Sequence, residues 1–231
     1  MTSCGLKEYR EFIRKQYDLC ERRAIFAGPD RYPKQPGRIF KHIYFSDTLP
    51  VAVILGQDPY PQKDVATGIA FANAAGTPLS PSLKVIKDSV LKVYPGEFDQ
   101  TLVSWVNQGI LLLNSAFTVK ENTPGSDSLY WAYFTSQFLS EISKMFPNLC
   151  YVLLGKSAEF FAGNIQDSGL IIKEMHPSFY ARTKREFPPE VWKKMVDYVE
   201  QTFNLTVHLT NDTKGQRQDN TSCTEEIQGD I

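Results

Sequence analysis

The sequence has few residues that could hold a metal ion or form disulfide bonds. Its 231 residues include four cysteines and three histidines. Cys4, Cys20, Cys150 and Cys223 are far apart, and no CxxC pair occurs. Sequence signatures of zinc sites and disulfide frameworks rely on more closely patterned Cys and His residues. We therefore expect no metal or other cofactor, and reduced thiols in an intracellular protein of the cytoplasm or nucleus.

Long apolar runs and a strong charge of either sign are also missing. No stretch approaches the roughly 20 apolar residues that span a bilayer, so we expect no membrane association. The segment from Met1 to Glu8 lacks the apolar region of a secretory signal peptide. The formal net charge is −1, which argues against a generic basic nucleic-acid binder.

The small net charge hides an uneven distribution. Residues 211–231 contain five acidic and two basic residues, a net charge of −3, so the other 210 residues carry +2. This polar segment lacks hydrophobic periodicity and is predicted to be a disordered tail. Residues 173–194 contain six basic and three acidic residues. Such a patch could follow a few DNA phosphates, although charge alone favours a solvated helix start.

The hydrophobic residues, 42% of the chain, are enough for one sizeable core. We expect one domain over residues 1–210, beginning with a helical segment and loop at 1–35. Continuous apolar runs predict strands at 51–56, 109–114, 150–154 and 170–174. Helices are predicted between and around them, at 3–27, 38–45, 81–93, 101–107, 129–146, 157–162 and 188–203. This alternation predicts an α/β fold of three α/β/α layers with a central four-stranded parallel sheet.

Polar residues follow or end three of the four predicted strands. Asp58 lies just past the first strand, within Gly56-Gln57-Asp58-Pro59-Tyr60-Pro61. Asn114 ends the second strand, and His176 follows the fourth. Singly, each is better explained as a turn residue, a strand cap or a packed core residue. Together they predict a site, because ligands bind beyond the carboxyl ends of strands in an open parallel sheet.

The third strand ends in Gly155-Lys156-Ser157, which raises the alternative of a phosphate-binding P-loop. That loop needs a glycine five positions before the Gly-Lys pair, where this chain has Cys150. We therefore reject a nucleotide triphosphatase. Ser157 is instead predicted to cap a short helix, whose backbone N–H groups could face a DNA phosphate.

Five short segments occur in order over residues 56–178: Gly-Gln-Asp-Pro-Tyr, Gly-Ile-Ala-Phe, Pro-Ser-Leu-Lys, Leu-Leu-Leu-Asn-Ser and His-Pro-Ser. The set resembles family 1 uracil-DNA glycosylase, over roughly residues 40–205. The resemblance implies an enzyme that flips uracil out of DNA and hydrolyses its N-glycosidic bond, leaving an abasic site and starting base-excision repair. It also implies a monomer without cofactor, acting on single- or double-stranded DNA, with a protein inhibitor or replication factor as a further partner.

The resemblance gives catalytic roles to two residues. Asp58 matches the acid that positions or activates water and stabilises the cationic sugar. His176 matches the histidine that donates to uracil O2 as the base leaves with negative charge.

Four further residues are expected to bind the uracil. Gln57 offers its backbone, and Phe71 stacks on the ring. Asn114 donates to O4 and accepts from N3–H, a pattern that cytosine reverses. Tyr60 lies against C5 and excludes the methyl group of thymine.

The same resemblance suggests contacts to the DNA backbone and stack. Ser82, Ser157 and Ser178 match serines that touch phosphates. Tyr180 stands where the family has a leucine that inserts into the emptied stack. An aromatic wedge could stack on neighbouring bases, and the alternative is that the ring packs locally. Arg182 or a neighbouring cation is expected to follow the phosphates.

Three positions depart from the family pattern. Pro61 stands where histidine is usual, Lys156 where glycine is usual, and Tyr180 replaces the leucine. These departures motivate the alternative of a glycosylase-fold DNA-binding or replication-accessory protein with weak or no catalysis. The catalytic pair argues against it, because a pure binder needs neither residue. A glycosylase of altered base preference is disfavoured by the uracil-reading side chains.

Overall fold

A computed structural model gives the structure of residues 5–34, 40, 43, 46–167 and 169–211. In chain order the strands are β1 (Arg31–Tyr32), β2 (Ala52–Gly56), β3 (Ile110–Asn114), β4 (Val119–Lys120), β5 (Cys150–Leu154) and β6 (Leu170–Glu174). The predicted helix at 38–45 lies outside the described residues except at positions 40 and 43. The predicted tail lies outside them except at position 211.

The helices connect and cover these strands. They are α1 (Leu6–Phe26), α2 (Pro81–Val93), α3 (Val103–Val106), α4 (Ser128–Met145), α5 (Lys156–Glu159), α6 (Pro177–Thr183) and α7 (Glu190–Phe203). A 3-10 helix, Phe160–Asn164, follows α5 directly, so the single helix predicted at 157–162 is two short pieces. Helix α6 was not predicted. Among the described helices, none is long and apolar enough to cross a membrane.

Strands β2, β3, β5 and β6 form one parallel sheet in the order β3-β2-β5-β6. Ala52 of β2 lies opposite Ile110 of β3 on one side and Cys150 of β5 on the other. The chain therefore moves from β2 to β3 and then crosses back over β2 to reach β5. Such a reversal opens a crevice beyond the carboxyl ends of β2 and β5, the neighbouring strands whose connections run to opposite sides. The predicted four-stranded parallel sheet is confirmed.

Both faces of the sheet are covered by helices, which explains the continuous apolar strands. Ile54 of β2 belongs to the core beneath α2 and α7, whereas its neighbour Leu55 belongs to the core beneath α1 and α4. Val152 and Leu153 of β5 divide in the same way. Side chains alternate between faces along a strand, but here both faces of β2 and β5 pack against apolar side chains. The three predicted layers are confirmed.

Helix α1 shows how the amphipathic helices attach to this sheet. Tyr9, Ile13 and Cys20 recur at helical spacing and are almost fully buried. The helix stops just before Gly28, whose positive φ of 110° suits glycine, and Pro29 follows. The chain then turns into β1, which pairs antiparallel with β4. The N-terminal segment is thereby joined to the chain that follows β3.

Candidate active site

A cavity of about 260 Å³ opens at the carboxyl ends of the parallel strands. That volume is small for a ligand site and suits a single flat ring with its attachments. Most of the predicted site residues line it: Gln57, Asp58, Tyr60, Phe71, Ser82, Asn114, His176, Ser178 and Arg182. Ser157 and Tyr180 do not line it.

The loop after β2 is tied to the chain that leaves β3. The Gln57 carbonyl accepts hydrogen bonds from the Ala116 N–H at 2.9 Å and from Ser115 Oγ at 2.8 Å. The Gly56 carbonyl accepts from the Ser115 N–H at 3.0 Å. Because these peptide groups are fixed, the backbone of Gln57 has a defined orientation at the cavity wall.

Gly56 provides the space in which the side chains of Phe71 and Asn114 meet. A Cβ at this position would lie 2.6 Å from Phe71 Cζ and 2.9 Å from Asn114 Oδ1. Neither side chain could keep its position beside a larger residue. The absence of a side chain at Gly56 therefore lets an aromatic ring and an amide share one end of the cavity.

Phe71 is held in a conformation that is uncommon for a residue with a side chain. Its φ is +66°, and the residue is 7% exposed. The Tyr60 hydroxyl donates to the Phe71 carbonyl at 2.8 Å, which fixes the Tyr60 ring against the same turn. Burial raises the pKa of Tyr60 to about 12, so the hydroxyl stays protonated as a donor.

Asn114 ends β3 with its amide free for a ligand. No group in the described part of the chain hydrogen-bonds to this side-chain amide, although the side chain is half-buried at the cavity. An amide in such a place offers two N–H donors and one carbonyl acceptor in a fixed plane. It can therefore match a ring that presents an acceptor beside a donor.

Asp58 lies past the end of β2 and is held by a distant loop. Its Oδ2 accepts a hydrogen bond from the Gly125 N–H, 67 residues further along the chain. Burial raises the pKa of Asp58 above its usual range, while this hydrogen bond opposes the rise by favouring the carboxylate. The result is a partly desolvated carboxylate facing the cavity, which interacts strongly with any nearby positive charge.

Gly125 had no part in the site predicted from the sequence. Thr123-Pro124-Gly125 is recognisable as a turn, because Pro-Gly pairs mark turns. No local pattern indicates that the N–H of this turn points at Asp58. Only the fold brings the two together.

His176 caps helix α6 with one nitrogen and faces the cavity with its ring. Its Nδ1 accepts from the Ser178 N–H at 3.2 Å and lies 2.9 Å from Ser178 Oγ. A nitrogen that accepts an N–H bond carries no proton, so the proton of the neutral ring is on Nε2. Burial, helped by the charge of Arg182, lowers the pKa of His176 to about 4, which keeps the ring neutral near pH 7.

A second glycine allows this histidine to approach the sheet. Gly155 directly follows β5 with a positive φ of 89°, and a Cβ there would lie 2.8 Å from His176 Cβ. The Gly155 N–H donates to the Glu174 carbonyl at 2.7 Å, which links the ends of β5 and β6. The glycine of Gly155-Lys156-Ser157 therefore serves His176 and not a phosphate cradle.

Helix α6 carries two more cavity residues on one side. Ser178 and Arg182 are four residues apart, so their side chains share a helix face. Arg182 is exposed, and its guanidinium therefore stands at the edge of the cavity. Ser82, in the first turn of α2, also lines the cavity but is 7% exposed.

Ser157 lies outside the cavity, and its predicted capping role is wrong. The N-cap of α5 is Gly155, and Ser157 is the second residue of that four-residue helix. Helix α5 begins at Lys156, two residues earlier than a cap at Ser157 would require. Contact between Ser157 and a phosphate remains a prediction.

Tyr180 packs inside the protein in this structure, and its insertion into the DNA stack stays a prediction. The residue is 9% exposed, and its ring packs edge-on against Phe187 with centroids 5.2 Å apart. Its hydroxyl donates to Glu174 Oε1 at 2.6 Å. Ring and hydroxyl are both satisfied inside the protein, so local packing, the alternative weighed for this residue, is what the structure contains.

No cluster of three or more His, Cys, Asp or Glu residues within the described ranges is arranged to hold a metal ion. The cavity is instead lined by one carboxylate, one neutral imidazole, one cation and several amide or hydroxyl groups. These groups can stabilise charge and transfer protons without a metal.

Comparison with known proteins places this arrangement in a family. Residues 42–200 match the model of the uracil DNA glycosylase superfamily. The uracil-DNA glycosylase of Azobacteroides pseudotrichonymphae is 33% identical over 87% of this chain and 89% of its own length. That of Gallid herpesvirus 2 is 35% identical over 70% of this chain, which spans 53% of the viral protein.

Solved structures agree with the sequence matches. Mimivirus uracil-DNA glycosylase superimposes with a TM-score of 0.69 over 91% of this chain and 90% of its own, at 20% identity, and so shares the fold. Mimivirus UNG Y322F in complex with UGI gives a TM-score of 0.59 at 27% identity, over 64% of this chain and 58% of its own. With a family match that covers more than half of its residues, this chain belongs to the uracil DNA glycosylase superfamily.

Proposed function

We propose that this protein excises uracil from DNA by hydrolysing the N-glycosidic bond, which leaves an abasic site and starts base-excision repair. One observation carries the proposal: a neutral His176, with its proton on Nε2, shares a small cavity with the carboxylate of Asp58. Breaking this bond creates a cationic sugar and an anionic base. The cavity thus offers a separate partner for each developing charge.

Uracil recognition is assigned to the end of the cavity where Phe71 and Asn114 meet. Phe71 offers a ring for stacking, and Asn114 offers both amide functions to the N3 and O4 edge of the base. Cytosine presents a donor at the O4 position and an acceptor at N3, so a fixed Asn114 amide opposes it. The base reaches this depth only after it has left the DNA stack.

The bond-breaking step uses the neutral imidazole and the carboxylate of the site. As the C1′–N1 bond lengthens, its electrons move to the uracil and its O2 gains negative charge, which the His176 Nε2–H stabilises as a hydrogen-bond donor. The sugar becomes cationic and is stabilised by the Asp58 carboxylate. Water then adds to C1′, and Asp58 orients it or accepts its proton.

DNA and a protein inhibitor are the partners in this proposal. Ser178 and Arg182 lie on the cavity-facing side of α6, where they can meet the phosphates that flank a flipped nucleotide. A similar protein, mimivirus UNG Y322F, has been solved in complex with UGI. We propose by analogy that an inhibitor protein binds the cavity face of this chain.

The activity is tested in EDTA with single- and double-stranded oligonucleotides that are identical except at one position. That position holds uracil in one set and thymine in the other. We expect alkali-labile abasic sites at uracil only, in the presence of the chelator. Binding to the uracil strand without release would instead favour the accessory DNA-binding alternative. Release that EDTA abolishes would contradict the metal-free mechanism.

Tyr60→Ala is expected to admit thymine. Removing the ring frees space beside the base, whereas the wild-type ring is locked by the hydrogen bond from its hydroxyl to the Phe71 carbonyl. We expect the ratio of uracil to thymine release to fall by at least about tenfold, the usual value of a single methyl group in a pocket. Release of both bases from otherwise identical duplexes measures it.

Tyr60→Phe is the matched control, because it keeps the ring and removes only the hydroxyl. It should continue to reject thymine. If Tyr60→Ala gained no thymine release, or if Tyr60→Phe gained as much, steric exclusion by the Tyr60 ring would be wrong.

A further inference from the structure

An ion pair between a half-buried arginine, Arg31, and a buried aspartate, Asp127, lies next to the loop that holds Asp58. The Asp127 side chain is 4% exposed, and both of its oxygens accept from Arg31 Nε, at 3.0 and 2.9 Å. Its Oδ2 also accepts from Thr118 Oγ1 at 2.7 Å. A carboxylate with so little exposure requires such partners, because an unpaired buried charge is strongly unfavourable.

The ion pair joins two distant segments of the chain. Arg31 begins β1, and Asp127 directly precedes α4, 96 residues later. Thr118 is itself fixed, because Trp131 Nε1 donates to its Oγ1 at 2.8 Å. The Asp127 end of the loop is therefore anchored from β1, from the residue before β4 and from the first turns of α4.

This anchor is two residues from the group that binds Asp58. Gly125 donates its N–H to Asp58 Oδ2 and accepts from the Ser128 N–H at 3.2 Å. The loop is closed further by a hydrogen bond from the Lys120 N–H to Ser126 Oγ at 2.8 Å. Any displacement of Asp127 would move the Gly125 N–H relative to the carboxylate it holds.

The pair also places charge behind Asp58. Burial is the main cause of the raised pKa of Asp58, and the like charge of Asp127 raises it further. The hydrogen bonds from Gly125 and Gln57 lower this pKa and so oppose both effects. Arg31 compensates Asp127 and also pairs with Asp30 at 2.6 Å. On the cavity side the other titratable groups are Tyr60, the neutral His176 and the cation Arg182.

We propose that Arg31 and Asp127 are positioning residues for the catalytic carboxylate: together they hold the Gly125 N–H against Asp58 and balance the charge behind it. The inference rests on the proposed role of Asp58 in uracil release. Neither residue lines the cavity, so the pair acts through the loop at 121–127 and through its charge.

Two single variants should move the titration of Asp58 in opposite directions. Arg31→Gln leaves Asp127 uncompensated, so the pKa of Asp58 should rise and the acid limb of kcat should move to higher pH. Asp127→Asn removes the like charge, so both should move to lower pH. We expect each shift to be about half a pH unit or more. The Asp58 carboxyl 13C resonance, assigned by its loss in Asp58→Asn, measures the pKa separately from His176.

The double variant Arg31→Gln/Asp127→Asn keeps the proposal testable if Arg31→Gln does not fold because Asp127 is left unpaired. It removes both charges, so the pKa of Asp58 should return to within about 0.3 units of the wild-type value. The loop would still lack its anchor, and kcat should fall at least about tenfold above the acid limb, with KM changed less than about threefold.

An exposed ion pair of the same two residue types serves as the control. Arg10 and Asp47 form a salt bridge with side chains 52% and 81% exposed. Arg10→Gln and Asp47→Asn should leave kcat and the Asp58 titration unchanged. If the two Arg31 and Asp127 single variants fold and shift the titration in the same direction, or not at all, the proposal is overturned. A wild-type protein that releases no uracil would overturn the proposed function instead, while the resonance could still be titrated.

Discussion

Asp58→Asn is expected to slow uracil release by about 10³-fold while the fold survives. The amide has no negative charge to stabilise the cationic sugar and is a poor acceptor of a proton from water. Its carbonyl oxygen can still accept the hydrogen bond from the Gly125 N–H, so the loop contact is retained. Single-turnover release from a uracil oligonucleotide near pH 8 measures the loss.

The same substitution should not lower the melting temperature. The pKa of Asp58 is raised by burial, so the folded state binds its proton more tightly than the unfolded state does. Ionisation near neutral pH therefore costs stability, and a neutral amide removes that cost. The wild-type protein should for this reason gain stability as the pH falls through the pKa of Asp58, a gain that Asp58→Asn lacks. Calorimetry of the two proteins between pH 4 and 8 tests this difference.

Asp64→Asn is the matched control for Asp58→Asn. Asp64 is exposed on the same loop and has a left-handed backbone with φ of 59°, which asparagine tolerates. It should release uracil at the wild-type rate. Wild-type release by Asp58→Asn would remove the carboxylate from the mechanism, and an equal loss in both variants would point to a disturbed loop.

His176→Ala is expected to slow release by about 10²- to 10³-fold, the range found when a donor to a developing oxyanion is removed. The wild-type ring has its Nε2 proton available, because Nδ1 is engaged by the Ser178 N–H. Its pKa of about 4 means that it remains neutral through pH 5–8. Titration of His176 should therefore produce no change in kcat over this interval, which a pH profile of the wild type checks.

His176→Asn separates catalysis from helix capping. Asparagine can accept the hydrogen bond from the Ser178 N–H and so keep the cap of α6, but it cannot place a donor at the Nε2 position. It should lose as much activity as His176→Ala and retain more stability. His208→Ala, which changes an exposed histidine outside the cavity, should release uracil normally. A fast His176→Asn variant would show that the ring itself is dispensable.

The sheet and its helices were largely predictable, because their signals are local. Continuous apolar runs such as Val51–Leu55 indicate strands buried on both faces, and the intervening helices indicate parallel crossovers. The polar residues at the strand ends converge for the same reason. Once the strands are parallel, their carboxyl ends share one edge, and Asp58, Asn114 and His176 meet there.

Tyr180 has a packing arrangement that its place in the sequence does not indicate. In sequence it occupies the place of an inserting leucine, but helix α6 turns its ring toward the core, where Phe187 packs against it and Glu174 accepts its hydroxyl. The three residues are close along the chain, yet nothing in their order reveals that both partners lie on the inner side of α6.

The sequence by itself determined the layer order of this protein, the family to which it belongs and the polar side chains that meet at the strand ends. Only the tertiary structure decided how those side chains are held. Gly125 reaches Asp58 across 67 residues, and Arg31 reaches Asp127 across 96. Strand and helix periodicities report which side of an element is buried over a few residues. Contacts between distant segments depend on how whole elements pack, so the supports of the carboxylate emerge only when the chain is folded.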